Sequence, residues 1–542
     1  MIEECLLGAL PGGADQPTEV AAMAGDTAAQ RVTAAFIDDV RINEILAAAR
    51  RVSRDRARSA LTKAAEGRGL EPAEAAVLME VEDPELLGEL FSLAAQLKER
   101  IYGKRIVLFA PLYISNHCVN NCRYCGYRRD NPLERRRLTM AQLAEEVVAL
   151  EGMGHKRLAL ECGEDPANTP LEYVLEAIQT IYTVKERTGS IRRVNVNIAA
   201  TTVPEYRRLK QAGIGTYILF QETYHRNTYL YMHPAGPKHD YDWHTTAIDR
   251  AMQAGIDDVG LGVLFGLYDH KYELVALLEH ARHLEETWGV GPHTVSVPRL
   301  KPAAGVEIER FPHLVSEQDF RKLVAVIRLA LPYTGIILST RERAELRDQL
   351  LHQGVSQISA GSCTGVGGYR YDQSAARRNE LGQRIAPERT ENREASLGLP
   401  GCRGACEDEP VLDPAPSGVP GGRPAAGTPQ FLVEDRRTPD EAIRSICAAG
   451  FIPSYCTACY REGRTGDRFM ALAKSGRIQY VCQPNAILTF KEYLLDYAAP
   501  ATRTVGEQTI LEHLRQIPSD EVRRQTVERL RRLEQGERDL YF

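Results

Sequence analysis

Cys118, Cys122 and Cys125 fall within eight positions of SNHCVNNCRYCGY, residues 115–127, and a second cysteine triad lies near the other end of the chain. There Cys456 and Cys459 stand in SYCTACY, and Cys482 follows after 22 intervening residues. Thiolates gathered this closely hold a soft metal. Structural zinc closes its shell with four ligands. Neither triad has an evident fourth cysteine, and the first has only His155 as a distant imidazole. Three thiolates instead suit a [4Fe–4S] cluster in which one iron keeps no protein ligand and can chelate a small molecule. A zinc site recruiting a histidine or a remote cysteine is the alternative, chiefly for the second triad. Disulfides are not expected of the 12 cysteines in this 542-residue chain, whose start, MIEECLLGALPGGADQPTEV, lacks the basic n-region of a secretory signal.

The elements that must position these ligands are legible in the hydrophobic pattern. Residues 1–30 are rich in Gly, Ala and Pro and are expected to form a flexible tail. Residues 31–101 carry apolar positions at spacings of three and four, as in INEILAAAR and ELLGELFSLAAQLKERI, and predict a helical N-terminal cap. Strand–helix alternation fills residues 102–363. Its strands are IVLFAPLYI, RLALEC, VNVNIAA, TYILFQE, DVGLGVLFGL, HTVSVPRL, GIILST and SQISAGS. These are continuous apolar runs, the pattern of parallel strands covered by helices. Eight such units predict an α/β fold, a (β/α)₈ TIM-type barrel, with a doubly wound open sheet as the alternative. The first triad directly follows the first strand, where barrel active-site loops project. Residues 364–430 are Pro/Gly-rich and aperiodic and read as a flexible insertion, and residues 431–542 as a small helical C-terminal domain around the second triad. The net charge of −6 gives no electrostatic reason to bind nucleic acid or an anionic membrane, and no apolar run approaches a membrane span. The expected compartment is the cytoplasm.

The spacing Cx₃CxΦC, with aromatic Tyr124 before the last cysteine, resembles the signature of the radical S-adenosylmethionine superfamily. The resemblance implies that the open iron takes the amino and carboxylate groups of S-adenosylmethionine. Reduction by an electron donor such as ferredoxin or flavodoxin would then cleave the sulfonium and release a 5′-deoxyadenosyl radical. In LECGEDP, at the end of the second strand, Gly163 and Glu164 are similar to the family's Gly-Gly-Glu element that holds the methionine ammonium. Cys162 departs from that element, standing where its first glycine is usual. Glu222, ending YILFQE, is a further candidate contact to the cofactor.

Cx₂Cx₂₂C in a C-terminal domain after such a barrel resembles, within that superfamily, the tyrosine lyases that mature [FeFe]-hydrogenase. The resemblance covers roughly residues 35–365 and 430–540, including APLYISNHCVNNCRYCGY, AATTVPEY, YILFQETYH and HDYDWH. It implies cleavage of the Cα–Cβ bond of L-tyrosine to p-cresol and dehydroglycine. Dehydroglycine would pass to the second [4Fe–4S] cluster and become carbon monoxide and cyanide on a fifth iron held by a free cysteine and a histidine. The product would go to other hydrogenase maturation proteins. His293 starts the sixth strand and so faces the barrel end opposite the first triad, which makes it the candidate histidine, with His283 the runner-up. The tyrosine carboxylate calls for a guanidinium fork. Arg341 after the seventh strand is the first candidate, Arg299 after the sixth the second, and Ser339 a neighbouring polar contact, with Ser359 and Ser362 at the eighth strand. Cys363, Cys402 and Cys406 receive no ligand role. The rival readings are a thiazole-pathway tyrosine lyase, which has no use for the second triad, and a non-catalytic iron–sulfur scaffold or carrier.

Overall fold

The structure is a computed structural model and describes residues 33–187, 189–370 and 428–542. The expected tail at 1–30 and most of the expected insertion at 364–430, with Cys402 and Cys406, lie outside the described residues. Everything below belongs to one compact unit, Ala34–Phe542.

Eight parallel strands form the barrel: β1 (Arg105–Ser115), β2 (Arg157–Cys162), β3 (Arg193–Asn197), β4 (Tyr217–Glu222), β5 (Val259–Val263), β6 (Thr294–Ser296), β7 (Gly335–Leu338) and β8 (Gln357–Ser359). They pair in sequence order, and β1 bonds to both β2 and β8, so the sheet is closed. The open-sheet alternative is thereby excluded. Helices cover the strands for reasons visible in the sequence. Helix Met140–Gly152 starts in a capping box between Thr139 and Gln142 and buries Leu143, Val147 and Leu150 along one stripe. Among the described residues four helices precede the barrel, the last being Pro84–Tyr102, and Gly103 at φ 65° turns it into β1.

The C-terminal region is helical but adds a strand that the sequence pattern does not announce. β9 (Ile452–Ser454) pairs in parallel with Arg105–Val107, on the edge of β1 left free before β2 joins at Ala110. It sets Cys456 at the N-terminal end of the barrel, while helix Gln479–Asp496 brings Cys482 to the same end on its buried face. No described helix is long and apolar enough to cross a membrane.

Candidate active site and a second thiol cavity

Inward-facing residues alternate along a parallel strand. On β1, Arg105 and Val107 line a cavity at the N-terminal end of the barrel, while Phe109, Pro111 and Tyr113 line a chamber at its C-terminal mouth. On β2, Arg157 belongs to the first and Ala159 and Glu161 to the second. The two sites sit at opposite ends of one ladder of side chains.

The loop after β1 carries Cys118, Cys122 and Cys125 into the chamber mouth. Its irregular backbone is held by substitutes for a sheet ladder. The Arg135 guanidinium donates to the carbonyls of Asn116, Tyr127 and Arg128, and Val119 N–H donates to Glu164 O at 2.8 Å. Gly163 is required by close approach, since a Cβ there would stand 2.2 Å from His117 O. The Glu164 carboxylate accepts from Asn120 Nδ2 at 2.6 Å. Glu222 has a positive φ of 69°, unusual for a residue with a side chain, at a register shift between β4 and β5. Its carboxylate pairs with Lys238 Nζ at 2.8 Å. Tyr124 is fixed too. His233 must donate from Nδ1 to Tyr229 O, so its Nε2 accepts the Tyr124 hydroxyl at 2.8 Å.

The chamber encloses about 1590 Å³, counting the part open to solvent. Arg341, Ser339, Ser359 and Ser362 line it, and Ser362 Oγ is buried without a hydrogen-bond partner among the described residues. Arg299 does not line it. Its guanidinium is engaged by Glu342 and the Val315 carbonyl, which corrects the expectation that it is a second substrate cation. Part of the wall comes from the end of the expected insertion, Gln430, and from Phe431 just after it. Gln430 accepts from the Tyr113 hydroxyl at 2.9 Å and reaches Cys125 Sγ at 3.7 Å, and Arg341 stacks on the Phe431 ring, 3.3 Å from its centroid. Buried Arg347 fastens this segment to β8 by binding both Asp435 and Ser359 O.

Glu161 is the titratable group that sequence reading passed over. Burial pushes its carboxyl from an ordinary 4.5 up to about 7, against the Tyr113 hydroxyl and the Arg341 charge, which pull it down. A raised carboxyl favours the native state in its neutral form. That contribution is whole below about 4.5 and is lost as pH rises through about 7. The melting temperature of the wild type minus that of Glu161→Gln is therefore expected to fall between about pH 5 and 8. A difference independent of pH would mean that Glu161 titrates normally.

At the other end, Cys456, Cys459 and Cys482 line one cavity with His293, Arg105, Arg157, Asp258 and Arg464. The histidine expected to face this end is there. His283 is not, being bonded to Asp249 at 2.8 Å and stacked on Phe36. The Cys459 thiol and the charges of Arg105 and Arg464 pull Cys482 down against burial, and burial pushes Cys456 up. Burial also lowers the His293 pKa, favouring the neutral imidazole that a metal binds. Among the described residues Arg105 Nε and Arg157 Nε are buried without hydrogen-bond partners, and Asp258 is ion-paired with Arg193 at 3.6 Å, which fits a polar group in the cavity. Among the described residues no three His, Cys, Asp or Glu side chains close on one ion-sized point.

Residues 112–281 match the family model of the radical SAM superfamily, and residues 296–452 that of the Biotin and Thiamin Synthesis associated domain. Over 284 residues the chain is 34% identical to 2-iminoacetate synthase of Escherichia coli (strain K12), spanning 52% of this chain and 73% of that protein. A crystal structure of HydG, a maturase of the [FeFe]-hydrogenase, is 55% identical with a TM-score of 0.83, covering 94% of this chain and 100% of that one. HydG from Carboxydothermus hydrogenoformans is 38% identical with a TM-score of 0.72, covering 92% and 99%.

Proposed function

The chain belongs to the HydG family of radical S-adenosylmethionine lyases, and from that premise we propose that it cleaves the Cα–Cβ bond of L-tyrosine to p-cresol and dehydroglycine. Dehydroglycine is then converted at the second cavity to carbon monoxide and cyanide for the [FeFe]-hydrogenase cofactor. The observation that carries this reading is the placing of two cysteine triads at opposite ends of one barrel, with His293 beside the second.

In the chamber, Cys118, Cys122 and Cys125 hold a [4Fe–4S] cluster, and Glu164 meets the ammonium of S-adenosylmethionine. Lys238, steered by Glu222, is placed to meet its carboxylate. Bound there, the pair supplies a 5′-deoxyadenosyl radical. Arg341 takes the tyrosine carboxylate with its guanidinium fork, and Ser339 and Ser362 offer hydroxyls to the same substrate. Burial that raises the Glu161 carboxyl weakens its competition for the Arg341 charge. Gln430 and Phe431 wall the chamber beside Cys125 and Arg341, which limits the water able to reach a hydrolysable imine. At the far end, Cys456, Cys459 and Cys482 hold the second cluster. His293 holds the iron that, with a free cysteine, leaves as cargo. A cytoplasmic one-electron donor and further hydrogenase maturation proteins complete the set of partners.

The similarity to 2-iminoacetate synthase favours one second reading, a lyase that stops at dehydroglycine. Such an enzyme has no use for the second thiol cavity. Reconstituted, reduced protein given S-adenosylmethionine and tyrosine without oxygen is expected to yield 5′-deoxyadenosine, p-cresol and carbon monoxide, the last trapped by a haem protein. No p-cresol would sink the lyase reading, and p-cresol without carbon monoxide would favour the second.

A further inference from the structure

A surface groove runs beside the first cysteine loop, lined by Arg123, Arg128, Tyr231, Met232, Leu267 and Phe311. Its floor has an unusual neighbour. Met232, Leu267 and Phe311 pack in one small apolar cluster with Cys122 and Tyr124, separate from the main core. Cys122 also lines the chamber. One layer of side chains therefore separates the groove from a thiol that holds the first cluster.

The rim is apolar at its centre and basic around it. Tyr231 is 60% exposed and Leu314, beside the groove, 50% exposed. Arg123 stacks on the Tyr231 ring at 4.3 Å and spends its Nε on the Tyr231 carbonyl, with no ion pair among the described residues. Arg128 likewise bonds a neutral group, Asn131 Oδ1. Arg310 and Arg129 are exposed and paired with Glu307 and Asp130. Three guanidinium groups, Arg123, Arg128 and Arg310, line the groove with one carboxylate, Glu307, on a chain whose net charge is −6. Exposed aromatic and aliphatic side chains within an arginine rim are the composition of a transient protein interface. Opposite charge on the partner speeds encounter and sets orientation.

We propose that this groove is the docking face of an acidic one-electron carrier protein, which reduces the cluster through Met232, Phe311 and Cys122. One electron leaves the carrier, oxidising it by one unit, and arrives on the cluster, with no proton or group transferred. The inference rests on the proposed cluster at Cys118, Cys122 and Cys125. It does not require that tyrosine be the substrate.

The test uses the reconstituted holoenzyme with reduced flavodoxin as the acidic probe and dithionite as a small reductant. Reduction is followed by the electron paramagnetic resonance of the cluster, in the absence of tyrosine. Arg310→Glu combined with Tyr231→Ala is expected to slow reduction by flavodoxin about tenfold and to weaken its binding in titration calorimetry. Arg123→Glu should act in the same direction, with iron content checked because it adjoins Cys122. Added salt should slow the wild type toward the variants. Reduction by dithionite should be unchanged throughout. Flavodoxin reducing all variants at the wild-type rate would overturn the proposal, as would an equal loss with dithionite. A dithionite-reduced enzyme that yields no 5′-deoxyadenosine would overturn the reaction assigned to the chamber, and would leave the docking result standing.

Discussion

Replacing Cys456 and Cys459 together by alanine is expected to abolish carbon monoxide formation while p-cresol continues to appear. The two triads are separated by the length of the barrel interior, and their lining residues do not overlap. Loss of two thiolates from three removes the second cluster, so iron should fall from about eight or nine to about four per chain. His293→Ala is the finer form of the same test. It keeps all three thiols and should lose carbon monoxide with about one iron. Carbon monoxide persisting in the double variant would end the role given to the second cavity, whatever became of p-cresol.

Arg341→Leu is expected to raise the tyrosine requirement by on the order of 10–100-fold, the worth of charge-assisted hydrogen bonds to a carboxylate in a water-poor site. S-adenosylmethionine binding should be unaffected, because Glu164 and Lys238 are held by other partners. Arg341→Lys should recover only part of the loss. An ammonium keeps the charge but neither the fork nor the flat stacking on Phe431. An unchanged KM for tyrosine in Arg341→Leu would remove this residue from the substrate site. Arg299 is the matched control, because its guanidinium is already committed to Glu342.

The cysteine triads were legible because ligand spacing is a local property of a loop. The barrel was legible because eight runs of buried strand are apolar throughout. The place of His293 at the far end followed from topology, since the first residue of a barrel strand must face the end away from the loops that follow it. What failed to show depends on neighbours distant in sequence. Arg299 and Arg341 look alike at the barrel rim, and only Glu342, which captures one of them, tells them apart. Lys238 sits in a short irregular stretch and gains meaning only beside Glu222. Glu161 follows from strict alternation with Ala159, but the glutamate nearer the motif drew the attention. β9 has three residues, too few for a periodic signal. Gln430 ends the stretch read as an aperiodic insertion and Phe431 begins the expected C-terminal domain, and both are chamber wall.

That wall has a further consequence. Gln430 N–H donates to Thr364 O at 3.1 Å, and Thr364 Oγ1 donates to Phe431 O at 3.1 Å. The two sides of residues 371–427 are thus clasped together, next to Cys125 and Arg341. Where a stretch of chain leaves and returns at one point, its length hardly matters to the rest, since each doubling adds only about 0.6 kcal/mol of closure entropy. The clasp makes this place a graft point. Length added or removed between Thr364 and Gln430 would leave in place the bonds that hold this part of the chamber wall.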